Sequence, residues 1–128
     1  MSHFTKVKTR ILDRSVLEKT LPDLNYRLAP TDQVAGSQGA TRKADLVVKT
    51  RGQYDVGFVK TADGSFDVVA DWWGLKTTIG MDRQSFVNQL NQRYAYNKVL
   101  TEVKARGFSV TEEVTQADNS IRVVVRRW

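Results

Sequence analysis

The sequence predicts one α+β domain, a mainly antiparallel sheet with two helices on one face, in the order β-α-β-β-β-β-α-β-β. Three observations carry this. Short segments alternate apolar and polar side chains and are separated by turn residues, the pattern of half-buried strands. Two further segments open on an aspartate, at Asp13 and Asp82, and continue at helical period. The length, 128 residues, suits a single domain, and no internal repeat or linker divides it. Sequential hairpins then favour antiparallel pairing, with the helices gathered on one side.

The elements follow in order. Thr5, Val7, Thr9 and Ile11 share one side of the first strand, while Lys6, Lys8 and Arg10 share the other. Asp13 is placed to cap a short helix, with Leu12 before the cap and Leu17 at the fourth helical position as a hydrophobic staple. Val16, Leu17, Leu21 and Leu24 form its apolar stripe, and Pro22, which has no N–H to donate, ends or kinks it. Tyr26, Arg27 and Leu28 make a short strand. Residues 30–43, PTDQVAGSQGATRK, are polar and aperiodic, which predicts a loop that is either functional or mobile. Its glycines, Gly36 and Gly39, do not make a phosphate cradle: that signature needs further glycines, a correctly offset lysine and a following helix, and a strand follows here.

Strands are predicted over residues 44–50, 54–60 and 65–71. Asp63-Gly64 turns between the last two, since this pair accepts the positive φ of a tight hairpin. Tyr54, Val56 and Phe58 share a core side, as do Phe66, Val68 and Ala70, with Asp55, Asp67 and Asp71 opposite. Residues 71–80, DWWGLKTTIG, are predicted as a loop with one tryptophan ring on the core and the other over a neighbouring edge.

The second helix has the clearest ends. Met81 precedes the Asp82 cap and Phe86 occupies the fourth helical position, a second staple. Gly107 closes it after Lys104 and Arg106, and Phe108 falls where a Schellman turn places its contact with Val103. At about 100° per residue from Phe86, the side chains of Phe86, Val87, Leu90 and Tyr94 cluster near about 50°, and those of Tyr96, Val99, Leu100 and Val103 near about 270°. The apolar stripe therefore changes sides at the tyrosines. This predicts packing on two surfaces, with Tyr94 in the core and Tyr96 offered to the first helix or a partner. Two strands end the chain: residues 109–115, with Val110 and Val114 on one side, and 120–127, with Ile121, Val123 and Val125 on one side.

Composition removes several chemistries. There is no cysteine, hence no disulfide, thiolate nucleophile or Cys-type zinc site. The one histidine, His3, excludes a multi-imidazole metal site; amino-terminal chelation with Met1 and Ser2 would be broken by removal of the methionine. Glu112 and Glu113 point to opposite faces of a strand, and Asp67 and Asp71 lie about 13 Å apart along one, so neither pair suits acid–base work on a single bond. No catalytic residue, cofactor or metal is expected, and the chain is expected not to be an enzyme. No apolar run reaches the length of a membrane span and the start lacks a secretory core, which predicts a cytoplasmic protein.

The net charge of +6 points to polyanions, acidic protein faces or simple solubility. If the first and last strands were neighbours, Lys6, Lys8, Arg10, Arg122 and Arg126 would form a basic sheet face with Trp128 at its rim, able to hold single-stranded nucleic acid. Alternatively, those cations pair across strands with Asp55, Asp67, Asp71 and Glu113 as a solvated face, or meet a protein partner. Trp72 and Trp73 are read as packing residues or as an interaction hot spot.

The opening MSHFTKVKTRI, the segment YDVGF, the helix FVNQLNQRYAY and the ending SIRVVVRRW resemble the hypothetical chloroplast reading frame thirty-five family over nearly the whole chain. That resemblance implies a setting in cyanobacteria, algal plastids or cyanophages and a cytoplasmic or stromal location. It carries over no activity, cofactor or catalytic residue. Together these features predict a non-enzymatic accessory or adaptor protein that binds a protein partner, with a nucleic-acid-binding module as the alternative.

Overall fold

The structure is a computed structural model and describes residues 4–118 and 120–127. His3 and Trp128 lie outside the described residues. The central sheet has five antiparallel strands in the order β1-β7-β6-β5-β2: β1 (Phe4–Lys8), β2 (Arg27–Leu28), β5 (Leu46–Lys49), β6 (Asp55–Lys60) and β7 (Phe66–Asp71). The predicted alternation sets its faces. Val56, Phe58, Phe66, Val68 and Ala70 all point to one side and are fully buried there with Leu46 and Val48.

Three helices cover that side: α1 (Arg14–Asp23), α2 (Trp72–Ile79) and α3 (Arg83–Ala105). Asp13 caps α1 by accepting the N–H groups of Ser15 and Val16. The staple at Leu12 does not form, because Leu12 is exposed beside the turn at Gly64. The entry to α1 is held by Tyr94, whose hydroxyl accepts the Asp13 N–H at 3.0 Å, and by Lys98, 3.1 Å from the Asp13 carboxylate. The Ser15 hydroxyl, then Lys98, hold the Asp13 carboxyl down at about 2.

Residues 71–80 are not a loop. The Asp71 side chain accepts the Gly74 N–H at 3.0 Å and starts α2, and Gly80 ends it with φ +69°. Helix formation places Trp72 in the core against Phe86 and leaves Trp73 exposed. Gly74 is needed for packing: a Cβ there would stand 2.6 Å from the Tyr54 ring.

The other face of the sheet is partly covered, and by the segment expected to be a loop. Within residues 30–43, β3 (Gln33–Ala35) and β4 (Thr41–Lys43) pair as a hairpin around a 3-10 turn. Val34 is fully buried with Ala44 and Val47, and Phe4, Ala29 and Val59 pack around them. Gly57 makes this seat: a Cβ on it would collide with Val34 Cγ2 and lie 3.0 Å from Ala44 Cβ. Buried Asp55 then ties the hairpin down by accepting the Ala35 N–H at 2.8 Å.

The largest correction concerns the end of the chain. β8 (Phe108–Thr115) and β9 (Ile121–Arg127) pair only with each other and form a separate two-stranded sheet. They join neither edge strand of the central sheet, β1 or β2.

Gly57→Ala is expected to lower stability by about 1–3 kcal/mol through overpacking against Val34. Adding Val34→Ala should recover part of that loss. Urea unfolding midpoints check both, and an unchanged midpoint for Gly57→Ala would contradict the close seat of the hairpin.

Candidate functional site

The terminal hairpin is exposed over most of its length, and α3 positions it. Gly107, at φ +84°, turns the chain out of the helix and directly into β8. Within the hairpin a bulge lies between Val110 and Glu112. It shifts the alternation by one residue, so Val110 pairs with Val125 on the side toward α3, while Val114 pairs with Arg122 on the outer side. The expectation that Val110 and Val114 share a side fails for this reason.

Glu113 faces α3 and anchors the arm. Its carboxylate accepts the Tyr96 hydroxyl at 2.6 Å and an Arg93 N–H at 3.1 Å. Arg93 also reaches Asp23 of α1 at 3.2 Å, and its guanidinium lies 4.6 Å from the centre of the Tyr96 ring. Asn97 donates to both Thr20 and Asp23 of α1. One face of α3 thus clamps α1 and the arm through a single polar network. Burial, then the hydrogen bond to Glu113, pushes the Tyr96 phenol up to about 12.

The outer face carries Glu112, Val114, Arg122, Val124 and Arg126. Val114 and Val124 are each 38 % exposed, and Arg122 lies 3.3 Å from Glu112. On this face Arg122 and Arg126 stand against Glu112, while Glu113 is taken up on the other side by Arg93 and Tyr96. The surface therefore combines exposed valines with charges of both signs.

The residues singled out in the sequence are not brought together. Lys6 and Lys8 stand on β1, with Arg10 beyond its end, and β1 pairs with β7. Arg122 and Arg126 belong to the separate hairpin, so a basic face shared by first and last strands does not exist. The expected cross-strand ion pairs are also replaced. Lys8 meets Asp63 at 2.9 Å, buried Asp55 takes Lys49 at 3.2 Å, Asp71 caps α2, and Glu113 holds Tyr96. Tyr96, expected as a partner contact, is only 9 % exposed because the arm covers it. Trp72 is buried as a packing residue, whereas Trp73, 65 % exposed, is available at the surface. Arg93 and Glu113 carry the network, and no local pattern in the sequence marks them as a pair.

Tyr96 stabilises the arm in its protonated form. An unfolded tyrosine ionises near about 10, so the contribution is complete below that pH and is lost as the pH rises through about 12. Tyrosinate absorbance should show a late-titrating phenol that disappears in Tyr96→Phe and moves down in Glu113→Ala. Equal titration in wild type and Glu113→Ala would contradict the contact.

Comparison with known proteins places the chain. Residues 20–124 match the family described as "Protein of unknown function (DUF1257)". The chain is 35 % identical to the uncharacterised protein ycf35 of Cyanophora paradoxa over 131 aligned positions, covering all of this chain and 98 % of that protein. It is 31 % identical to ycf35 of Pyropia yezoensis and 31 % identical to ycf35 of Guillardia theta, again covering all of this chain and 98 % of each relative. No solved structure matches. The chain belongs to the DUF1257 family, together with the ycf35 proteins of algal plastids.

Proposed function

We propose that this protein is a non-enzymatic accessory or adaptor that captures a protein partner on its β8–β9 arm, in a cyanobacterial or cyanophage-infected cytoplasm or in a plastid stroma. One observation carries this: a two-stranded sheet, marginal by itself in water, stands apart from the central sheet with exposed valines on its outer face. α3 packs on the hairpin chiefly through β8, and among the described residues no strand pairs with the far edge of β9. An extended partner segment can pair with its edge and cover Val114 and Val124, the strand-addition mode of recognition. The absence of helices long and apolar enough to cross a membrane, among the described residues, is compatible with the proposed setting.

The competing nucleic-acid role draws on Lys6, Lys8, Arg10, Arg122 and Arg126. Their division between two sheets weakens it, because phosphate binding gains from cations aligned along one track.

Immobilised full-length protein should retain one partner in stoichiometric amount from a cyanobacterial or stromal extract. Val124→Asp should abolish that retention while Lys6→Glu leaves it intact. Retention of single-stranded RNA at ~50 mM salt, lost on Lys6→Glu and kept by Val124→Asp, would instead establish the nucleic-acid role.

A further inference from the structure

At the N-terminal end of α3, a cleft of about 710 Å³ opens between the β2–β5 edge of the sheet and the α2–α3 turn. Its lining on α3 ends at Gln89, one turn before the Arg93 that holds the arm, and it plays no part in the adaptor function proposed above. Its volume falls within the range of about 300–1,000 Å³ that holds small molecules.

The two walls differ in chemistry. On the sheet side, Arg27 of β2 and Lys49 of β5 are register partners, and Arg51 follows in the next turn. Lys49 is neutralised by buried Asp55. Arg51 donates to the Ile79 carbonyl, a neutral acceptor that orients the guanidinium without cancelling its charge. Among the described residues, neither Arg27 nor Arg51 has a carboxylate within 4.0 Å. The facing wall carries Ile79, Met81 and Phe86 beside the polar Asp82, Ser85 and Gln89, with Tyr26 standing edge-on to Phe86 at 5.2 Å. Asp82 at the rim is turned to other work, capping α3 through Ser85 and lying 3.7 Å from Lys76. Burial pushes the Tyr26 phenol up, and the nearby Arg51 charge opposes that push, as a cation held at the cleft should.

Two guanidinium groups line one cleft, and among the described residues neither is paired with an acid. Their forked donors match the paired oxygens of phosphate or carboxylate. We infer that this cleft binds a small organic anion, its phosphate or carboxylate head between Arg27 and Arg51 and its flat apolar body on Ile79, Met81 and Phe86.

Calorimetry on the full chain with phenyl phosphate, benzoate, inorganic phosphate and phenol tests the assignment, with methyl chemical shifts locating the site. Phenyl phosphate or benzoate should bind once per chain and about tenfold more tightly than inorganic phosphate or phenol, shifting the methyls of Ile79 and Met81. Which of the two binds better identifies the head group. Arg27 is exposed, so Arg27→Ala should fold normally and weaken binding about tenfold, while Lys60→Ala has no effect. The assignment is overturned by an absence of saturable binding, by unchanged affinity in Arg27→Ala, or by shifts confined to the arm.

Discussion

Helix α3 has to serve two surfaces at once, and the rest of the structure depends on how it does so. Phe86, Val87 and Leu90 face the sheet, where they join the core formed by β5, β6 and β7. At Tyr94 the helix turns its contacts to the entry of α1, and at Tyr96 it turns them to the terminal arm. A side chain moves about 100° round the axis with each residue, so these duties fall to tyrosines two positions apart. Each ring uses an apolar body for packing and a hydroxyl for one directional bond. Tyr94 accepts a backbone N–H, whereas Tyr96 donates to a carboxylate. A phenylalanine at either position would keep the packing and lose the bond that sets direction.

The same division explains which parts of the fold were legible in the sequence. The ends of α3 could be read because Asp82 and Gly107 act locally, through a side-chain cap and a left-handed turn. The faces of β6 and β7 could be read because six-residue strands contain three periods of alternation. The β3–β4 hairpin could not: each strand has three residues, with Val34 the one buried apolar side chain, too short for a period. Its position is set by Gly57, more than twenty residues beyond Val34 in the chain. Helix α2 was hidden by weak helix formers, with Gly74, Thr77 and Thr78 within eight residues, although its Asp71 cap was present. Gly74 is there for the Tyr54 ring and not for the helix.

The candidate site was legible only in part. The switch in the stripe of α3 was visible, and it does mark two packing surfaces, although Val99, counted in the second stripe, is exposed. What the second surface was could not be read, because both the Glu113 contact and the bulge before Glu112 depend on tertiary placement. The inference of a basic face failed at a single step, the assumption that the first and last strands are neighbours. The residue types were right for a sheet surface, but strand order is not encoded in alternation. The family resemblance agrees with the DUF1257 match and the ycf35 relatives, and neither of these supplies a chemistry.

The β8–β9 arm is a separate unit held to α3 by Tyr96, Arg93 and Glu113. Native-state hydrogen exchange tests it directly. In the wild-type protein, arm amides such as those of Val123 and Val125 should exchange through a local opening, faster than those of Val56 and Phe58 in the central sheet. Tyr96→Phe should speed exchange in the arm severalfold and leave the central sheet unchanged. Uniform acceleration across arm and central sheet, or an arm that exchanges only with global unfolding, would contradict the account.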